Sequence, residues 1–251
     1  MPAELVIYLV AAGGALLGAT ASGLAGFAFA ATTLGLYAHF LPHAAISPLI
    51  VAASLAVQLI LMPMIWRRLD WGAALPFLAG GVCGVPFGAA LLSVLSADTF
   101  RHLAGALLVI YAGSVLVTGR LPSLRVESRL ADAAVGFGGG VLGGFAGLSG
   151  VLPTIWCSLR RWPKDRQRSV FQLFNTAMHV VTLSTYAVQG RLTAEVGGLF
   201  LAALPGIGLG AWLGFSLYRR IDDKAFARVL LILLGVSGIG LLVPLLPEIL
   251  G

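Results

Sequence analysis

Long apolar runs separated by short polar or glycine-rich interruptions make up most of this chain. Ten such runs can be delimited: residues 5–21, 27–41, 44–65, 72–95, 100–118, 131–146, 151–159, 169–188, 194–217 and 225–247. A helix that crosses a membrane needs about 20 mostly apolar residues, and most of the ten approach that length. The second and seventh are shorter. Each follows a break rich in small residues, Thr20-Ala21-Ser22-Gly23-Leu24-Ala25-Gly26 before one and Phe145-Ala146-Gly147-Leu148-Ser149-Gly150 before the other. These two runs read either as half-helices or as arms of a hairpin that turns inside the protein. Non-helical backbone at membrane depth is tolerated only where it is buried in protein or lines a cavity.

The pattern repeats at a spacing of 121–126 residues. Gly23-Leu24-Ala25-Gly26 falls on Gly147-Leu148-Ser149-Gly150. Gly84-Val85-Pro86-Phe87-Gly88-Ala89 falls on Gly206-Ile207-Gly208-Leu209-Gly210-Ala211, and Leu41-Pro42-His43 on Trp162-Pro163-Lys164. Five runs per half mean that the second half crosses the bilayer in the opposite sense. Inverted repeats with broken helices at corresponding places recur in secondary transporters, and the breaks point to the binding site. The expected fold is an all-α polytopic membrane protein of about ten segments in two inverted repeats. Residues 1–118 form the first repeat, 119–130 a polar cytoplasmic linker and 131–251 the second repeat, within one membrane domain.

Composition and charge support this reading. The 251 residues are 59% hydrophobic and 10% charged, with a mean hydropathy of +0.97, whereas a soluble domain is about a quarter charged. The net charge of +6 does not indicate nucleic acid, because the cations sit in short loops. With the N-terminal face called side A, side B holds Arg67, Arg68, Arg120, Arg125, Arg129, Arg160, Arg161, Lys164, Arg166, Arg168, Arg219, Arg220, Lys224 and Arg228, which is 14 of the 16 Lys and Arg. Side A keeps Arg101 and Arg191. Cytoplasmic loops are enriched in Lys and Arg, so side B is assigned to the cytoplasm and both termini to the outside of an inner (plasma) membrane. Residues 5–21 lack the basic lead of a signal peptide and read as a retained membrane segment. Cys83 and Cys157 form neither a disulfide scaffold nor a metal cluster.

The candidate chemistry lies in polar residues within the apolar runs. Ser54 and Gln58 are four apart and share a helix face, as do Asn175 and His179. An offset of 121 places Ser54 on Asn175 and Gln58 on His179. Polar groups at membrane depth are costly and face the bundle interior. Helices starting after Gly26 and Gly150 would present free N–H groups and positive dipole ends, an arrangement that binds anions, and Ser22 and Ser149 could add hydroxyls. No embedded acidic group is evident, so His179 is the embedded residue able to titrate near neutral pH. The substrate-binding set is therefore Ser22, Gly23, Gly26, Ser54, Gln58, Ser149, Gly150, Asn175 and His179, with Arg166 and Arg168 at the cytoplasmic mouth. The basic stretch 160–168 otherwise serves topology, and Trp66, Trp71, Trp156, Trp162 and Trp212 suit an interfacial belt.

Gly138-Gly139-Gly140-Val141-Leu142-Gly143 fits G-x-G-x-x-G but lacks the strand and acidic residue of a dinucleotide site. Gly136, Gly140 and Gly144 share one helix face, which suits close helix contact. There is no H-E-x-x-H, Walker A loop or G-x-S-x-G elbow. No enzymatic activity, metal or cofactor is expected.

The doubled break and the polar third and eighth segments resemble the TauE/SafE (TSUP) family of sulfite exporters. The resemblance rests on Gly23-Leu24-Ala25-Gly26-Phe27, on Gly147-Leu148-Ser149-Gly150-Val151-Leu152-Pro153 and on Ala52-Ala53-Ser54-Leu55. Phe29 stands where the family often has a proline. The resemblance implies outward transport of sulfite, thiosulfate or sulfonates, whereas the residues themselves reach only as far as a small anion or polar molecule. The expected activity is secondary transport by alternating access, the partners being a small anionic substrate and the lipid bilayer. Three alternatives stand beside it: an anion channel of the same architecture, a carrier of small carboxylates, and a non-transporting assembly factor or membrane enzyme. Proton coupling and a homodimer are both compatible with this reading.

Overall fold

The computed structural model describes residues 3–91, 105–106, 108–110, 112–113, 124, 126–146 and 149–242. Every regular element among them is helical. They are α1 (Ala3–Ala25), α2 (Phe29–Phe40), α3 (His43–Ile65) with a 3-10 turn at Trp66–Arg68, α4 (Trp71–Leu91), α5 (Arg129–Ala146), α6 (Val151–Leu159), α7 (Lys164–Val188), α8 (Ala194–Arg220) and α9 (Asp223–Leu242). The apolar run at 100–118 is represented by helical residues at 105–106, 108–110 and 112–113. Gly147, Leu148, Arg101, Arg120, Arg125, half of the linker 119–130 and residues 92–95 and 243–247 lie outside the described residues.

Among the described residues, four stretches are long and apolar enough to cross a membrane: Leu5–Ala25, Ala44–Arg68, Trp71–Gly88 and Ala194–Arg220. At 1.5 Å per residue, the nine residues of α6 extend about 14 Å, less than half of a ~30 Å hydrocarbon core.

Both short helices fold back along the helix before them. Tyr37 Oη on α2 donates to the carbonyl of Ala11 (2.9 Å). Its ring packs on Gly14, while Phe29 and Thr33 pack on Gly18, so α2 retraces α1. In the other hairpin, Ser149 sits against Gly139 and Gly143, midway along α5. From there α6 descends towards the start of α5. Trp156 Nε1 donates to Asp132 Oδ1 at 2.7 Å, and Arg160 Nη1 reaches the same oxygen at 2.6 Å. Both short runs are thus hairpin arms, one of the two forms expected of them.

This hairpin corrects two expectations. Asp132 is a buried acidic residue within the run 131–146, 6% exposed, and is ion-paired with Arg160. Nor do the tryptophans form one belt. Trp66, Trp71 and Trp212 are exposed, but Trp162 is buried, between the guanidinium groups of Arg160 (4.2 Å) and Arg166 (4.0 Å), and Trp156 is tied to Asp132.

The tightest packing joins α1 to α8 and α4 to α5. A Cβ at Gly206, Gly210 or Gly214 would lie 2.1–2.5 Å from the carbonyl oxygens of Ala12, Leu16 and Thr20. At Gly80, Gly84, Gly136 and Gly140 it would lie 1.9–2.2 Å from those of Ala133, Phe137, Phe77 and Gly81. No larger residue fits, because backbone meets backbone, the small-residue contact that lets membrane helices approach closely. The G-x-G-x-x-G run therefore serves as a packing face inside α5. Around these pairs lie two main apolar clusters, one from α1, α2, α3 and α8 and one centred on α4 and α7.

Candidate functional site

The site lies where the two breaks meet. The first begins as α1 ends at Ala25. Gly26 then takes φ +94°, a conformation open to glycine and strained for other residues. Its N–H donates to the carbonyl of Ser22 (2.7 Å). Its own carbonyl accepts two side-chain amides, Gln58 Nε2 from α3 (2.8 Å) and Asn175 Nδ2 from α7 (3.2 Å).

The second break reaches the same place. Ser149 Oγ donates to Asn175 Oδ1 (3.3 Å). Gly150 leaves so little room that a Cβ there would lie 3.0 Å from both Asn175 Oδ1 and Phe27 Cβ. Phe27, directly after the first break, thus touches the second. Gln172 Nε2, one turn before Asn175, donates to the carbonyl of Gln58 (2.6 Å) and ties α7 to α3.

Gly26, Gln58, Ser149, Gly150 and Asn175 therefore form one buried cluster, in which Gln58 and Asn175 are each 1% exposed. The cluster is uncharged, and hydrogen bonds hold it. Gln58 Oε1 and Gln172 Oε1 are buried without a hydrogen-bond partner among the described residues. An unmade bond of this kind costs about 1–3 kcal/mol.

Other expected residues stand apart. Ser22 is buried and contributes its carbonyl to the break. Gly23 wedges against α8, where a Cβ would lie 2.9 Å from the Ala211 carbonyl, so it serves helix packing. Ser54 is buried one turn before Gln58. His179 is half-buried one turn beyond Asn175 and takes no part in the hydrogen-bonded cluster. The 121-residue offset paired Gln58 with His179, yet in space Gln58 meets Asn175. Arg166 is exposed, 3.3 Å from Asp70. Arg168 is buried and donates through Nη1 to the carbonyls of Gly23 (2.7 Å) and Leu24 (3.0 Å), in the last turn of α1.

Members of the basic stretch also hold helices together. Arg160 holds the α5–α6 hairpin. Lys164 donates from Nζ to the carbonyls of Tyr218 and Ile221. Asp165, missed from sequence, accepts from Arg68 Nη1 (3.2 Å) and from Tyr218 Oη. Its acidic character amid five cations was the available signal.

The model of the sulfite exporter TauE/SafE family matches residues 10–241. The chain belongs to the TauE/SafE family. The match takes in both breaks, α3 and α7, so every residue of the cluster falls inside it. TauE/SafE is a family of membrane transporters of the sulfite-exporter type, in keeping with the long apolar helices. No curated protein and no solved structure gives a significant match.

Proposed function

We propose that the chain is a secondary carrier of small anions, sulfite or organosulfur anions such as sulfonates and thiosulfate, exporting them from the cytoplasm by alternating access. The observation that carries this reading is the meeting of two breaks, remote in sequence, on Asn175. A carrier needs a site shared by two bodies that can move against each other, and both breaks contribute to this one. The anion takes the amide donors of Gln58 and Asn175, which in this conformation rest on Gly26, together with the hydroxyl of Ser149. Such donors suit oxyanions, which accept charge-assisted hydrogen bonds about twice as strong as neutral ones. The match between the α1–α8 and α4–α5 crossings supports two inverted repeats, since each pair joins the first segment of one half to the fourth segment of the other. The charge asymmetry supports an inner-membrane orientation with both termini outside.

The test is transport by sealed proteoliposomes of sulfite, sulfate, thiosulfate, taurine, sulfoacetate and simple carboxylates, with and without a pH gradient. Saturable transport of sulfur oxyanions or sulfonates is expected. Carboxylate transport alone overturns the substrate, and unsaturable current down the gradient means a channel. Asn175→Ala is expected to lower the rate at least tenfold. Unchanged transport in both Asn175→Ala and His179→Ala would remove the site assignment and leave the family intact.

A further inference from the structure

Arg168 is 1% exposed, yet only part of its hydrogen-bonding capacity is used. Nη1 serves the carbonyls of Gly23 and Leu24, while Nε and Nη2 are buried with no hydrogen-bond partner among the described residues. The guanidinium lies over the Tyr218 ring, 4.9 Å from its centre. Asp165, one turn earlier on α7, does not fill the gap, because Arg68 and Tyr218 hold its carboxylate. A buried cation is tolerated when it is paired and its donors are used. Here one edge of the fork is idle.

That residue lines a cavity of about 520 Å³, a volume typical of small-molecule sites, at the end of the bundle where α3, α7 and α8 converge. Arg68, Ser169, Phe215, Ser216 and Arg219 share the lining. Three arginines against the single carboxylate of Asp165 make the cavity electropositive, and low-dielectric walls concentrate such a field on an incoming anion.

We infer that this cavity is a second anion subsite, distinct from the Gly26 cluster, in which a compact oxyanion, sulfonate or carboxylate enters beside Arg168 and its head group takes Nε and Nη2 once the side chains that close those two atoms off from the cavity turn aside. The side-on edge of a guanidinium offers two parallel N–H bonds, a geometry that matches two oxygens of such a group. Nη1 stays on the last turn of α1, so the bound anion sits one side chain away from the first break. The inference deepens the carrier reading and takes the chemical class of its ligand from it.

Calorimetric titration of the purified protein in detergent with sulfite, sulfoacetate and acetate tests it. Binding by the unmodified chain is expected, weakened at least tenfold in Arg168→Lys, which keeps the charge but loses the paired edge, and unchanged in Arg191→Gln, an exposed cation outside the cavity lining. Ser216→Trp, which fills the cavity and leaves the guanidinium in place, is expected to weaken binding by a similar factor even if the Arg168 variant fails to fold. Unaltered binding in Ser216→Trp or in folded Arg168→Lys, or no binding by the unmodified chain, overturns the subsite. Proteoliposomes separate the two readings. Transport with an unchanged KM in folded Arg168→Lys removes the subsite and keeps the carrier, whereas Arg168-dependent binding without any transport does the reverse.

Discussion

The two breaks occupy matching places in the chain but differ in chemistry. Gly26 needs to be glycine because of its backbone angle, and its carbonyl draws side chains from α3 and α7. Gly150 has ordinary helical angles, φ −74° and ψ −13°. Its carbonyl is taken within its own helix by Thr154 Oγ1 (2.7 Å), and it needs to be glycine because Asn175 and Phe27 leave no room. One break is an acceptor and the other a gap. A repeated sequence motif can therefore preserve position while dividing two jobs between its copies, and Asn175 joins them.

The hairpins behind the breaks differ as well, and this gives the largest expected effect. Asp132→Ala leaves Arg160 buried without its counter-charge and Trp156 without its acceptor, so a loss of about 3–5 kcal/mol is expected, read as a lower unfolding midpoint in mixed micelles. Gly26→Ala follows, with backbone strain of about 1–3 kcal/mol that no neighbouring substitution relieves. Gly150→Ala should cost about 1 kcal/mol by crowding. Combining it with Asn175→Ala removes the crowded partner, so the double variant should lose less than the sum of the two singles. If Gly150→Ala and Asn175→Ala simply add, the two glycines do not differ in the way described. The smallest effect is Tyr37→Phe in the first hairpin, about 0.5 kcal/mol, because the Ala11 carbonyl sits inside α1 and keeps its helical bond.

Periodicity of small and apolar residues was enough to locate the helices, both breaks and the role of the α5 glycines. It also picked out Gln58 and Asn175, since amides in apolar runs are conspicuous. It did not reveal that they share the Gly26 carbonyl, because the direction of a backbone carbonyl leaves no mark on residue type. The offset that set Gln58 on His179 treated the halves as copies, whereas side-chain length and helix rotation decide which group reaches the centre. Asp132 was visible, but its partner Arg160 is 28 residues away and only the hairpin brings them together. Among the five cations of residues 160–168, nothing local distinguishes Arg168, which turns inward, from Arg166, which turns out to Asp70.

The glycine-lined crossings also set a timetable for biosynthesis. The surfaces of α4 and α5 that fit each other leave the ribosome close together, so that pair can zip up early. The face of α1 that fits α8 is made first and its mate almost last. Until then the face of α1 that carries Ala12, Leu16 and Thr20 lacks its glycine-lined partner, and contacts so distant in sequence form slowly. A chain stalled before residue 206 would carry that face without its partner.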